Sequence, residues 1–298
     1  MTTGITRKSS RPAHCMLVIA LTLAGCVSPG SRVRTAPPLP TWPPEAPDCP
    51  SPHVVFGEPV FVGHDPEHNV TLSYGAFTVY YDDRVLGPRW VAMKLTAAVA
   101  DANSNFDRPS RFKTDPALDE MGFDFTTHGD YANTSDEPRK WDRGHMVQFD
   151  DIRGHGDDAG RDSMFTTNVC PQLAALNQRG WLSLEQRMTE YARDFGTVWL
   201  IIGPVYDGPP RPFAPDRRVP AADAFFRIAV RSGAAGEPLA IAFIMPQAPV
   251  PRDSNLDAFG VSIDEIESRT GLDFLHELPD EIENVLEAEV STPWPDLP

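Results

Sequence analysis

An α+β fold is what this 298-residue chain predicts. Three observations carry that expectation: short runs rich in β-branched and aromatic residues, one long stretch with helical periodicity, and a capped helix near the C-terminus. Val70 to Tyr81 and Trp90 to Ala98 are strand-like runs bounded by Gly and Pro. Val198 to Ile202, Phe225 to Arg231 and Leu239 to Met245 are shorter and mostly apolar, as interior strands are. Across Gln172 to Phe195, Trp181, Leu184, Met188 and Tyr191 recur every three or four residues, which predicts a helix. Asn177, Trp181 and Glu185 then fall at i, i+4 and i+8, close to one stripe of that helix, so one carboxamide and one carboxylate are presented together. Ser262 and Glu265 have capping-box spacing, and Gly271 is the expected stop.

The N-terminal part reads as targeting sequence and spacer. Arg7, Lys8 and Arg11 precede an apolar run from Cys15 to Leu23, too short to span a bilayer. Leu23-Ala24-Gly25-Cys26 then has the form of a bacterial lipobox. Residues 1–25 are therefore expected to be a lipoprotein signal peptide, with Cys26 lipidated and the protein exported and membrane-anchored; an ordinary cleaved signal peptide is the plainer alternative. Residues 26–52 are a Pro-rich tether, and residues 53–298 the folded domain. Export permits a disulfide between Cys49 and Cys170, and a buried free thiol at Cys170 is the other reading.

The net charge of −16 argues, taken whole, against a polyanionic partner. Its distribution weakens that argument. Eleven acidic residues and one basic residue, Arg269, lie from Gly260 onward, where they can sit on a face away from a substrate. Arg108, Arg111, Lys113, Arg139, Lys140 and Arg143 cluster in the first half of the domain.

The chemistry-bearing stretch is Trp141-Asp142-Arg143-Gly144-His145-Met146, followed by Asn168, Asn177 and Glu185. An imidazole that titrates near neutrality can take a proton from water. A guanidinium grips phosphate oxygens with a two-pronged fork. Asn and Glu offer the hard oxygens that Mg²⁺ prefers. Together they suit phosphodiester hydrolysis. Zinc-ligand spacings, a Gly-x-Ser-x-Gly elbow and a P-loop are all missing from the sequence.

Asp142-Arg143-Gly144-His145, Ser163 through Asn168 to Pro171-Gln172, and Leu176-Asn177-Gln178 with Trp181 and Glu185 form an ordered set. In this set, with Ile202-Gly203-Pro204-Val205-Tyr206 downstream, the chain resembles the DNA/RNA non-specific endonucleases, which include bacterial sugar-non-specific nucleases and endonuclease G. The likeness extends over roughly residues 53–290, with Phe112 to Leu118, Val261 to Leu272 and Leu278-Pro279-Asp280 inside it. The resemblance implies a ββα-metal nuclease fold, with a central, mainly antiparallel sheet flanked by helices. It implies His145 as general base and Arg143 as a phosphate clamp. Asn177 would bind Mg²⁺, or Mn²⁺, directly, and Glu185 would act through a metal-bound water. Asn168 would orient His145 or such a water, and Asp142 would support the motif by hydrogen bonding. Arg111 is the expected second phosphate-binding residue, with Arg108 the alternative because the segment is one residue out of register. His155, in an Arg-Gly-His echo of the motif, is expected to be a loop residue.

The implied activity is hydrolysis of DNA and RNA with low sequence specificity, leaving 5′-phosphate ends. Two other classes stay open: a metal phosphodiesterase on small diesters, and a non-catalytic nucleic-acid-binding lipoprotein. A homodimer is equally open, and the sequence names no inhibitor.

Overall fold

The structure, a computed structural model, describes residues 51–102, 105–133 and 140–295. The chain divides into two units, Met1–Pro38 and Leu39–Pro298. The signal segment, Cys26, Cys49, Arg139 and nearly all of the tether lie outside the described residues.

A seven-stranded sheet organises the domain. Its strands in chain order are β1 (Asn69–Ser73), β2 (Thr78–Asp82), β3 (Gly87–Thr96), β6 (Thr197–Val205), β7 (Ala224–Ser232), β8 (Pro238–Pro246) and β9 (Gly260–Val261). The spatial order is β9-β8-β7-β6-β3-β2-β1, and every neighbouring pair is antiparallel. Two further strands, β4 (Trp141–His145) and β5 (Val169–Leu173), make a separate antiparallel pair in which His145 faces Val169.

Both faces of the large sheet are covered, so its inner strands are apolar on both sides and read as continuous hydrophobic runs. On one face Val91, Met93, Leu200, Ile202 and Phe225 pack with the β4–β5 pair and helix α1 (Leu182–Phe195). On the other, Trp90, Trp199, Phe226 and Ile228 pack against helices α2 (Ile263–Thr270) and α3 (Asp280–Ala288). The acidic C-terminal helices thus sit on the opposite face of the sheet from the motif. Ser262 caps α2 by accepting from Glu265 N at 3.1 Å, and Gly271 ends it at φ +68°.

Two elements differ from the sequence expectation. Val70 to Tyr81 is two strands, because Tyr74 to Phe77 turns the chain back, with Tyr74 N donating to Phe77 O at 2.9 Å. The expected helix from Gln172 also begins later. Gln172 and Leu173 finish β5, paired with Asp142 and Trp141. A π turn, Leu176–Trp181, then leads into α1. Helical periodicity cannot see the ladder partner, which lies about 30 residues upstream. Gly180 makes the turn possible: a Cβ there would lie 2.3 Å from Val250 Cγ1, and Gly180 N donates to Val250 O at 3.1 Å. In a regular α-helix, residues eight apart stand roughly 80° apart around the axis. The wider π turn takes back part of that rotation and brings Asn177 toward the Glu185 face.

Candidate active site

His145 ends β4. Residues two apart on a strand share a face, so Arg143 accompanies it, while Gly144 faces the other way. A side chain at 144 is excluded, since a Cβ would come 2.4 Å from Gln172 Oε1. His145 is buried, with the Phe112 ring 4.9 Å from its own. Arg108 Nη2 lies 3.4 Å from His145 Nδ1. A guanidinium only donates, so Nδ1 accepts and the ring proton belongs on Nε2, which has no hydrogen-bond partner among the described residues. Burial, and then the Arg108 charge, push the imidazole down to about 3, so the ring is neutral near pH 7 with Nδ1 unprotonated, and both causes must be relieved before it acts as a strong base.

Arg143 is half-buried, and its Nε and Nη2 donate to the His128 carbonyl at 3.3 and 3.1 Å. Asn177 Nδ2 donates to Asp142 Oδ2 at 2.8 Å, as does Gln178 Nε2. This is the supporting role expected of Asp142. It fixes which end of the Asn177 carboxamide is spoken for and leaves the carbonyl oxygen as the free acceptor. Glu185 is 6% exposed, which rules out a solvated helix glutamate. Burial raises its carboxyl to about 7 against the opposing charge of Arg227, whose Nη2 is 3.4 Å from Oε1. Arg108, Arg143, His145, Asn177 and Glu185 all line one cavity of about 330 Å³.

Two expectations change at this level. Asn168 does not line the cavity; it is fully buried and bonded to backbone. Its Oδ1 accepts from Val147 N at 3.0 Å, and its Nδ2 donates to Val147 O and Ser163 O, each at 3.0 Å. It therefore pins the chain just after His145 and touches neither the imidazole nor the cavity. Arg111 is exposed and outside the cavity, and its charge is felt by His128 and Arg143. Arg108, the alternative open for this irregular segment, occupies the wall instead. Cys170 is a buried free thiol, and burial raises its pKa strongly. His155 is exposed in a short 3₁₀ turn and does not line the cavity, as expected.

Sequence reading missed Arg227. It lies within the apolar strand β7 yet is 1% exposed and bonded to Glu185. The signal was there, since a cation inside a buried strand needs a partner.

The donors fit a hard divalent cation. The Asn177 carbonyl and the Glu185 carboxylate are oxygens on one wall, too few to enclose an ion but suited to one that keeps most of its waters.

An antiparallel strand pair whose first strand ends in a buried histidine, packed on a helical segment that carries an Asn and a Glu, against an antiparallel sheet, defines a ββα-metal nuclease fold. The chain belongs to the DNA/RNA non-specific endonuclease family, whose model matches residues 62–281. It is 28% identical to the mitochondrial endonuclease G of Homo sapiens over 218 residues, 68% of each chain. It is 26% identical to the nuclease of Serratia marcescens over 226 residues, 74% of this chain and 80% of that one. A chain of the solved EndoG/EndoGI complex superposes with a TM-score of 0.59 at 22% identity, covering 76% of this chain and 91% of that chain, and shows the same fold.

Proposed function

We propose that the protein is a divalent-metal-dependent endonuclease that hydrolyses phosphodiester bonds of DNA and RNA with little sequence preference. The observation that carries this reading is the meeting of His145, Arg143, Asn177 and Glu185 on one cavity, with Asn177 oriented by Asp142. His145 Nδ1 takes a proton from water, whose oxygen attacks phosphorus in line with the leaving 3′ oxygen. Arg143 and Arg108 hold the non-bridging oxygens. A phosphate is a far better partner for Arg108 than an imidazole, so substrate draws the guanidinium away and frees the basic nitrogen. Asn177 would hold Mg²⁺ or Mn²⁺ directly and Glu185 through water; such an ion would supply positive charge to the transition state and the leaving oxygen. Contacts confined to phosphate carry no base information, which gives the sequence tolerance.

Purified protein incubated with plasmid DNA and with RNA, in Mg²⁺ or in EDTA, tests this directly. His145→Ala should lose cleavage by ~10²–10⁴-fold or more while still binding nucleic acid, and His155→Ala should change little. Cleavage that persists in excess EDTA would end the metal mechanism. The reversed pair of mutant phenotypes would end the assignment of the base.

The second part of the proposal is location. The lipobox at Cys26 and the Pro-rich spacer support an exported enzyme anchored by lipid, with the catalytic domain held off the membrane. Metabolic labelling with a clickable fatty acid should mark the wild type and not Cys26→Ser. An unlabelled, fully soluble wild type would make this a plain secreted enzyme.

A further inference from the structure

Arg227 stands in the middle of β7, where Phe225 and Ala229 join the core on the active-site side and Phe226 and Ile228 join the core on the other. The two-residue period of the strand therefore sends the guanidinium toward the active site. It stops one layer beneath the cavity and does not line it. Its Nη2 lies 3.3 Å from Met146 O and 3.4 Å from Glu185 Oε1. Its Cζ is 4.8 Å from the centroid of the Trp181 ring. Asp151, 3% exposed and receiving hydrogen bonds from Gln148 and from Thr189 Oγ1, adds a second buried carboxyl nearby.

A buried cation is costly, and replacing buried ion pairs by apolar residues is often neutral or stabilising. Packing alone therefore does not account for Arg227. Its contacts do. Met146 immediately follows His145. Glu185 is the carboxylate assigned to the metal-bound water. Trp181 closes the π turn that carries Asn177. One rigid, planar group thus touches the backbone next to the base, the carboxylate assigned to the metal-bound water, and the turn that carries the proposed metal ligand.

We infer that Arg227 is a positioning residue of the hydrolytic site, holding the Glu185 carboxylate and the Met146 carbonyl so that His145 and the metal-holding wall keep a fixed separation. The inference rests on the function proposed above for that site.

A double-mutant cycle tests it, with Arg227→Met, Arg227→Lys and Glu185→Gln, alone and in combination. Three quantities are read for each protein: the thermal unfolding midpoint, the affinity for Mn²⁺ by electron paramagnetic resonance, and kcat and KM separately on plasmid DNA. Loss of an outer partner of a metal site costs ~10–100-fold in affinity or rate. Arg227→Met should therefore weaken Mn²⁺ binding and lower kcat by that order, with KM little changed. Arg227→Lys, which keeps the charge and loses the fork, should recover part of the loss. In the Glu185→Gln background Arg227→Met should cost less than about threefold more, since the carboxylate charge that it holds is gone. Arg227→Met that melts like the wild type and retains wild-type kcat and Mn²⁺ affinity would overturn the inference, as would losses that add fully across the cycle. If Arg227→Met does not fold, Arg227→Lys completes the cycle; if neither folds, Arg227 is structural and the inference fails. A wild type that binds Mn²⁺ but cuts no nucleic acid would sink the functional reading, while the Mn²⁺ affinities still decide the role of Arg227.

Discussion

Asn168→Ala is the sharpest test of the difference between a residue that reacts and one that holds. The side chain makes three hydrogen bonds, all to backbone: one from Val147 N and two to Val147 O and Ser163 O, each 3.0 Å long. Alanine deprives all three groups of that partner in a site with no exposure. A buried polar group left unpaired costs ~1–3 kcal/mol, so the loss should be about 3–5 kcal/mol, a large part of the ~5–15 kcal/mol that holds a domain together. Asn168→Asp should be at least as damaging. It keeps an acceptor for Val147 N but sets a carboxylate oxygen against two carbonyl oxygens. Urea titration followed by tryptophan fluorescence measures the stability. Plasmid nicking across a Mg²⁺ titration measures the chemistry. Activity should fall with the fraction folded and with the order of the loop after His145, while the Mg²⁺ midpoint of the residual activity stays in place. A variant as stable as the wild type but inactive, or one with a displaced Mg²⁺ midpoint, would return Asn168 to the reacting groups and refute the reasoning.

Arg108→Ala should cost ~10–100-fold in kcat/KM, the worth of one charge-assisted hydrogen bond, and Arg111→Ala less than about threefold; equal effects would mean that exposed Arg111 folds into the site with substrate. Asp142→Ala should weaken Mn²⁺ binding by ~10-fold or more, because it releases the Asn177 carboxamide that it orients; calorimetry in Mn²⁺ checks this, and an unchanged affinity would separate Asn177 from the metal. His53 supplies a pH test away from the site. Its Nδ1 accepts from Lys94 N at 3.0 Å, and burial pushes the imidazole down to about 4 from 6.5. Above pH 6.5 both folded and unfolded chains hold it neutral, and the stability is intact. Between pH 6.5 and 4 only the unfolded chain takes up the proton, so stability falls as pH falls, at up to ~1.4 kcal/mol for each pH unit. His53→Asn keeps an acceptor and should flatten that part of the stability profile; an unaltered slope in urea titrations at successive pH values would refute it.

The chemistry of this protein was legible along the chain because its parts are local. Asp142, Arg143 and His145 lie within four residues, and strand alternation alone puts the arginine and histidine on one side with a glycine between them. Asn177 and Glu185 lie on one helical segment, and the family pattern runs in order through both stretches. The hydrophobic runs that became β6, β7 and β8 were visible because a sheet covered on both faces demands continuous apolar residues. The capped α2 was visible because its start and stop are written in single residues.

What tertiary structure alone decided is where distant segments meet. Pairing of Asp142 with Gln172 turned the first residues of an apparent helix into strand, and contact with Val250 set the π turn that follows. Asn168, expected from sequence to orient His145 or a metal-bound water, braces the backbone instead, since only packing brings Val147 and Ser163 to it. Arg108 rather than Arg111 reaches His145, because an irregular segment has no period from which to count. Arg227 joins the site from a strand some 40 residues beyond Glu185 in the chain. Side-chain type and short spacing are properties of the sequence. The partner that satisfies a buried charge, and the environment that moves a pKa, are properties of the packed interior, where segments far apart in the chain exclude water together.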